Sequence, residues 1–204
     1  MGEHAHDELA AASPHTIEVQ FDEKWAFVAK KEANCDRGDP SDDHKGDYWD
    51  HIGLDPEHWL VVAVAPGART IENTEALVEE FRRRTGGRLM GLITSDDYPA
   101  YETAILRAYG ETITPPRTGR PGRPRAPYRV PPTGLNDAVV TKRREKGRVA
   151  GIGSRVVFGT VAAVAGALGL SRVSPAIDTA LVERQHGTDR HRKRPAAGVA
   201  ARRG

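Results

Sequence analysis

Residues 89–94 read LMGLIT and run directly into Ser95-Asp96-Asp97. A short apolar run ended by polar turn residues predicts a buried strand, of the kind common in parallel pairing. The segments on either side predict helices. In Thr70–Arg84 (TIENTEALVEEFRRR), Leu77, Val78 and Phe81 stand at helical spacing. Thr70 is a candidate N-cap and Thr74 a second one; Arg82-Arg83-Arg84 suit the negative end of the helix dipole, and Gly86-Gly87 ends it. Downstream, Pro99 starts a helix over Ala100–Ala108, with Tyr101, Ile105 and Leu106 inward and Gly110 as the stop.

Working outward toward the N-terminus, Thr16–Lys30 (TIEVQFDEKWAFVAK) alternates. Ile17, Val19 and Phe21 point one way, and Glu18, Gln20 and Asp22 the other, which predicts a strand. Its second half, Trp25–Ala29, is apolar on both faces, and Trp25 and Trp59 are expected in the core. Lys31–Asp47 carries loop residues. Tyr48–Leu54 and Trp59–Ala65 predict a hairpin that turns at Asp55-Pro56-Glu57-His58 and ends at Pro66-Gly67. The predicted order is therefore β-β-β-α-β-α.

Toward the C-terminus, Thr114–Pro132 is rich in Pro and Arg without period and predicts a loop within a basic, flexible insert over 113–136. Ala138–Thr141 and Val149–Ile152 predict a hairpin around Lys142–Gly147. Val156–Leu170 predicts a buried helix. Ser174-Pro175 predicts the start of a last helix, with Ile177, Ala180 and Leu181 toward the core. Residues 1–15 and 195–204 read as tails, leaving one domain over 16–194.

Composition narrows the class. One cysteine, Cys35, excludes a disulfide framework and any cysteine-based zinc module. The longest apolar run, Val156–Leu170, falls short of the roughly 20 residues a membrane helix needs. With no targeting signal, a soluble, cytoplasmic protein is expected. The net charge of +2 hides a split. Residues 1–112 hold 11 Lys+Arg against 23 Asp+Glu, whereas 113–204 hold 19 against 5. A strongly basic half suits a polyanionic partner.

Three antiparallel strands followed by a helix and a strand in parallel pairing resemble the ribonuclease H-like fold. This is an α/β mixed sheet flanked by helices, with its first and fourth strands side by side. In that arrangement Asp22 on the first strand meets Asp96 at the carboxyl end of the fourth, where open α/β sheets place their sites. Glu183, the only acid near the middle of the last helix, can complete the cluster. Three clustered carboxylates repel unless a cation sits among them, and hard oxygen ligands favour Mg²⁺ or Mn²⁺. Two ions about 3.5–4 Å apart can serve the attacking and leaving oxygens of a phosphoryl centre.

The blocks Gln20–Val28 (QFDEKWAFV), Thr94–Tyr101 (TSDDYPAY) and Thr179–Arg190 (TALVERQHGTDR) resemble the three signature blocks of bacterial insertion-sequence transposases with a DDE triad. The resemblance covers about residues 17–194. It implies Asp22, Asp96 and Glu183 as catalytic residues and as ligands of two Mg²⁺ ions, with Mn²⁺ as substitute. Asp97 is the rival for the second position, and His186 stands one helical turn from Glu183. The implied activity is metal-dependent DNA strand cleavage followed by strand transfer from the freed 3′-OH, in a homo-oligomer assembled on element ends and target DNA. The resemblance further implies a DNA-recognition module ahead of the first block. The 21 residues before Asp22 show neither a zinc-binding nor a helix-turn-helix pattern, so a separately encoded module or a truncated remnant is expected. The alternatives are an inactive remnant that only binds nucleic acid and a structure-selective nuclease of the same fold.

The expected DNA contacts are basic. Gly119–Arg125 (GRPGRPR) resembles the core of an AT-hook, a minor-groove peptide, although its biased composition favours a generic phosphate-binding loop; with Arg117 it offers Arg120, Arg123 and Arg125. Lys142, Arg143 and Arg144 form a second group, and Arg190, Arg192, Lys193 and Arg194 a third.

Overall fold

The computed structural model describes residues 16–117, 123 and 125–192. The N-terminal tail, the C-terminal tail, Arg120, Lys193 and Arg194 therefore lie outside the described residues.

A six-stranded mixed sheet carries the architecture. Its strands are β1 (Glu18–Val28), β2 (Gly46–Asp55), β3 (Leu60–Gly67), β4 (Leu92–Asp96), β7 (Asp137–Glu145) and β8 (Arg148–Phe158), in the order β3-β2-β1-β4-β7-β8. β1, β2 and β3 run antiparallel; β4 lies parallel to both β1 and β7; and β8 returns antiparallel at the edge. Four helices flank the sheet among the described residues: α1 (Ile71–Arg84), α2 (Pro99–Tyr109), α3 (Val161–Leu170) and α4 (Ala180–Arg192). None is long and apolar enough to cross a membrane.

The alternation of β1 separates two environments. Val19 and Phe21 enter the main core beneath α1 and α2, where the Phe21 ring meets Phe81 edge-on at 5.3 Å and stacks on Tyr101 at 5.8 Å. Gly53 sits across from Phe21 because any Cβ there would come within 2.8 Å of the ring. The opposite face of β1 is polar but not solvated. Gln20 is fully buried, and its Oε1 accepts the Val182 amide at 3.1 Å. Ser171 Oγ donates to Glu18 Oε2 at 2.7 Å, and Ser174 Oγ donates to Glu18 Oε1. Lys24 pairs with Asp50 at 3.1 Å and with Asp189 of α4 at 3.0 Å. Burying these groups is tolerable because each is matched. In effect, this row docks α4 on the sheet.

α1 begins where expected, with Thr70 Oγ1 accepting the Asn73 amide. Several expectations fail locally. Trp25 and Trp59 are substantially exposed, each with a cation over its ring, Lys31 and Arg184 respectively. The apolar run 156–170 is not one buried helix. Its first residues finish β8, and α3 is capped by Thr160 and mostly exposed, with only Val164 buried. Ser174-Pro175 does not open the last helix. Ser174 is spent on Glu18, and α4 starts six residues later, burying Val182, while Ala180 is exposed. The ends of the basic insert pair as a small ribbon, β5 (Glu111–Ile113) with β6 (Tyr128–Val130).

Candidate functional site

β1 and β4 pair only from Glu18–Leu92 to Gln20–Thr94. Beyond this point β1 continues along β2, whereas β4 ends at Asp96 and turns into α2. Asp22, Glu23 and Asp96 stand around the opening where the two parallel strands part, and one carboxylate oxygen of each lies within 4.8 Å of the others. The three side chains are 15 %, 2 % and 28 % exposed, respectively.

Such a cluster is electrostatically costly. Burial, together with the charges of Asp96, Glu23 and Glu183, raises the Asp22 carboxyl to about 7. Burial and Asp96 push Glu23 up, and burial likewise raises Asp96. Arg69, in the β3–α1 turn, supplies compensation. Its Nη2 reaches Glu23 Oε2 at 3.1 Å and Asp96 Oδ2 at 3.3 Å, and its guanidinium lies 4.2 Å from the Tyr98 ring centre. On the other face, His186 Nδ1 of α4 is 3.4 Å from Asp22 Oδ2.

Below the cluster the surroundings are neutral. The buried Tyr101 phenol is held far above its ordinary titration range by burial and by the Glu23 charge. His51, opposite Glu23 on β2, donates Nδ1–H to the Ala65 carbonyl at 2.9 Å, and burial pushes its pKa down. The buried Glu23 carboxylate has the Tyr101 phenol as a hydrogen-bond partner as well as Arg69. The cluster can hold a metal ion, and an all-carboxylate set suits a hard divalent cation.

The structure thus brings Asp22 and Asp96 together and adds Glu23. It separates Asp96 from its rival, because Asp97 turns outward to Arg155 at 2.9 Å. Glu183 lies close enough for its charge to raise Asp22, but its Oε1 is taken by Lys142 Nζ at 2.9 Å and by Thr179 Oγ1 at 3.3 Å, outside the three-oxygen cluster. Simple alternation hides Glu23, since neighbours on a strand face opposite ways. The signal available was two consecutive acids between Phe21 and Trp25. Arg69 sits in a turn and carries no pattern at all.

Of the basic residues, Arg117, Arg123 and Arg125 are exposed in the irregular stretch between β5 and β6. Lys142, Arg143 and Arg144 are strand residues of β7 rather than a turn. Arg190 and Arg192 fall at the end of α4, where the backbone alone is described. No family model, no curated protein and no solved structure matches this chain.

Proposed function

We propose that this chain is a ribonuclease H-like catalytic domain of a DDE-type DNA transposase, cutting a DNA strand and joining the freed 3′-OH to target DNA. One observation carries the reading: acids distant in sequence converge where two parallel strands part, one oxygen of each within 4.8 Å of the others. The sheet order, with the first and fourth strands adjacent and parallel, supports the fold assignment.

Asp22, Glu23 and Asp96 would hold Mg²⁺ or Mn²⁺, with Glu183 completing a two-ion site once Lys142 releases it. Bound there, the ions supply Lewis acidity for the attacking and leaving oxygens at phosphorus. The protein's own groups do the rest. His186 fixes the orientation of Asp22 from the α4 side. Arg69, between Glu23 and Asp96, and Lys142, on Glu183, compensate carboxylate charge and stand at the rim, where a phosphate can take them over as a shared counter-charge. The neutral floor of Tyr101 and His51 adds no cation to compete below the carboxylates.

The test is a supercoiled plasmid incubated with the purified chain. Nicking is expected with Mn²⁺ and, more slowly, Mg²⁺, with complete loss in EDTA. Joining of a supplied 3′-OH end marks the transposase, whereas nicking of branched DNA without joining marks a nuclease of the same fold. DNA binding with no metal-dependent cleavage under any condition would reject the catalytic reading.

A further inference from the structure

The β7–β8 hairpin is longer than the sheet that carries it. β7 pairs with β4 only as far as Val140, opposite Asp96, and β8 is the edge strand. From Lys142 to Ile152 the two strands pair only with each other, closed by Lys146-Gly147, both with positive φ (48° and 77°). Its pairs are Lys142–Ile152, Arg143–Gly151, Arg144–Val149 and Glu145–Arg148, with Ala150 passed over in a bulge.

Strand alternation gives the ribbon two unlike faces. One presents Lys142, Arg144, Val149 and Ile152. It looks toward α4 and the carboxylates, since Lys142 touches Glu183. On it Ile152 is 72 % and Val149 48 % exposed, and Arg144 makes no ion pair among the described residues. The other face presents Arg143, Glu145 and Arg148, with Arg155 lower down. There two of the three arginines are paired with acids, Arg143 with Glu145 at 3.1 Å and Arg155 with Asp97 at 2.9 Å, and Arg148 makes no ion pair among the described residues. An exposed row of cations interleaved with apolar side chains matches a polyanion that also offers apolar sugar and base edges. A two-stranded ribbon is also of a size that the DNA major groove admits.

We propose that the Lys142–Arg144–Val149–Ile152 face is the surface on which duplex DNA lies as it approaches the carboxylate cluster, and that the reverse face is not. The inference rests on the nucleic-acid reading above but not on the metal. It is tested on the full 204-residue chain by fluorescence anisotropy with a labelled random-sequence duplex, in EDTA, across a salt series. The side chains changed are exposed, so the fold is expected to survive, as melting curves would check. Arg144→Ala weakens binding roughly five- to tenfold and lowers the salt slope by about one phosphate contact. Ile152→Ser weakens binding about fivefold with the slope unchanged. Arg148→Ala, on the reverse face, changes binding less than about twofold. If Arg148→Ala costs as much as Arg144→Ala, the face assignment is wrong. If native protein binds duplex but no ribbon variant matters, this inference falls and the nucleic-acid reading stands. If native protein does not bind duplex, both fall. If light scattering shows a dimer that Ile152→Ser dissociates while DNA binding is unaffected, the face is a protein interface and the inference is overturned.

Discussion

Asp96→Asn is expected to abolish plasmid nicking, by on the order of 10³-fold or more, or about 4 kcal/mol of transition-state stabilisation, while melting no lower than the native chain. Both halves follow from the same geometry. Asp96 contributes one of the three clustered oxygens, and an amide is a far poorer ligand for a hard divalent ion. The carboxylate itself is a structural burden, since burial raises its pKa. Besides its contact with Arg69, the side chain accepts the Tyr98 amide at 3.2 Å in the turn ahead of α2, and an asparagine carbonyl can accept that hydrogen bond equally well. Asp22→Asn should behave in the same way. Its carboxyl is held at about 7, so at pH 8 the ionised form costs stability that the amide does not. Nicking and melting are measured on the same preparations. A variant that nicks at the native rate would remove Asp96 from the chemistry, and one that fails to fold would contradict the electrostatic account.

A second large effect lies away from the site. Asp137, the first residue of β7, is fully buried, and neither carboxylate oxygen has a hydrogen bond of ordinary geometry. Burial, with the Glu102 charge adding to it, raises its carboxyl to about 7; Arg155 and the Ala138 amide offset only part of this. A carboxyl raised on folding adds stability at low pH, and that stability is lost as pH rises through the folded value. Native stability should therefore fall between pH 4 and pH 7, by up to on the order of 4 kcal/mol from this residue, and level off above. Asp137→Asn removes that slope, so its stability relative to native should rise by a similar amount over the same window. Urea unfolding of both proteins at pH 4.5, 6 and 8 measures the difference, and parallel pH profiles would rule out Asp137 as the source.

How far the sequence could be read depended on whether a signal was local. The alternation at Val19 and Phe21, the apolar run into Asp96, and Thr70 ahead of Leu77, Val78 and Phe81 are short-range patterns with a single geometric solution, and β1, β4 and α1 lie where they point. Lys142–Arg144 misled because charged residues resemble a turn. In a two-stranded ribbon, strand residues need no apolar partner, so charge did not mark the turn; Lys146-Gly147, with positive φ at both residues, did. The run 156–170 misled because hydrophobicity without a dominant period cannot separate the end of a strand from a helix. The Ser174-Pro175 cap was a valid local motif overridden by a tertiary demand, the buried Glu18 carboxylate. At the site, Asp22 and Asp96 could be paired from strand order. Glu23 and Arg69 could not, because their convergence depends on where β1 parts from β4. Nor could the grip of Lys142 on Glu183 be seen, since it depends on the length of a hairpin 41 residues away in the chain.

The most direct test of the central claim is a crystal of the native chain soaked in Mn²⁺ at pH 8, above the value at which Asp22 ionises, with data collected for anomalous scattering. A peak within coordination distance of Asp22, Glu23 and Asp96, accompanied by movement of Arg69 off the two carboxylates it bridges, is the predicted result. A map with no peak among those three residues, and Arg69 still seated between Glu23 and Asp96, would contradict it.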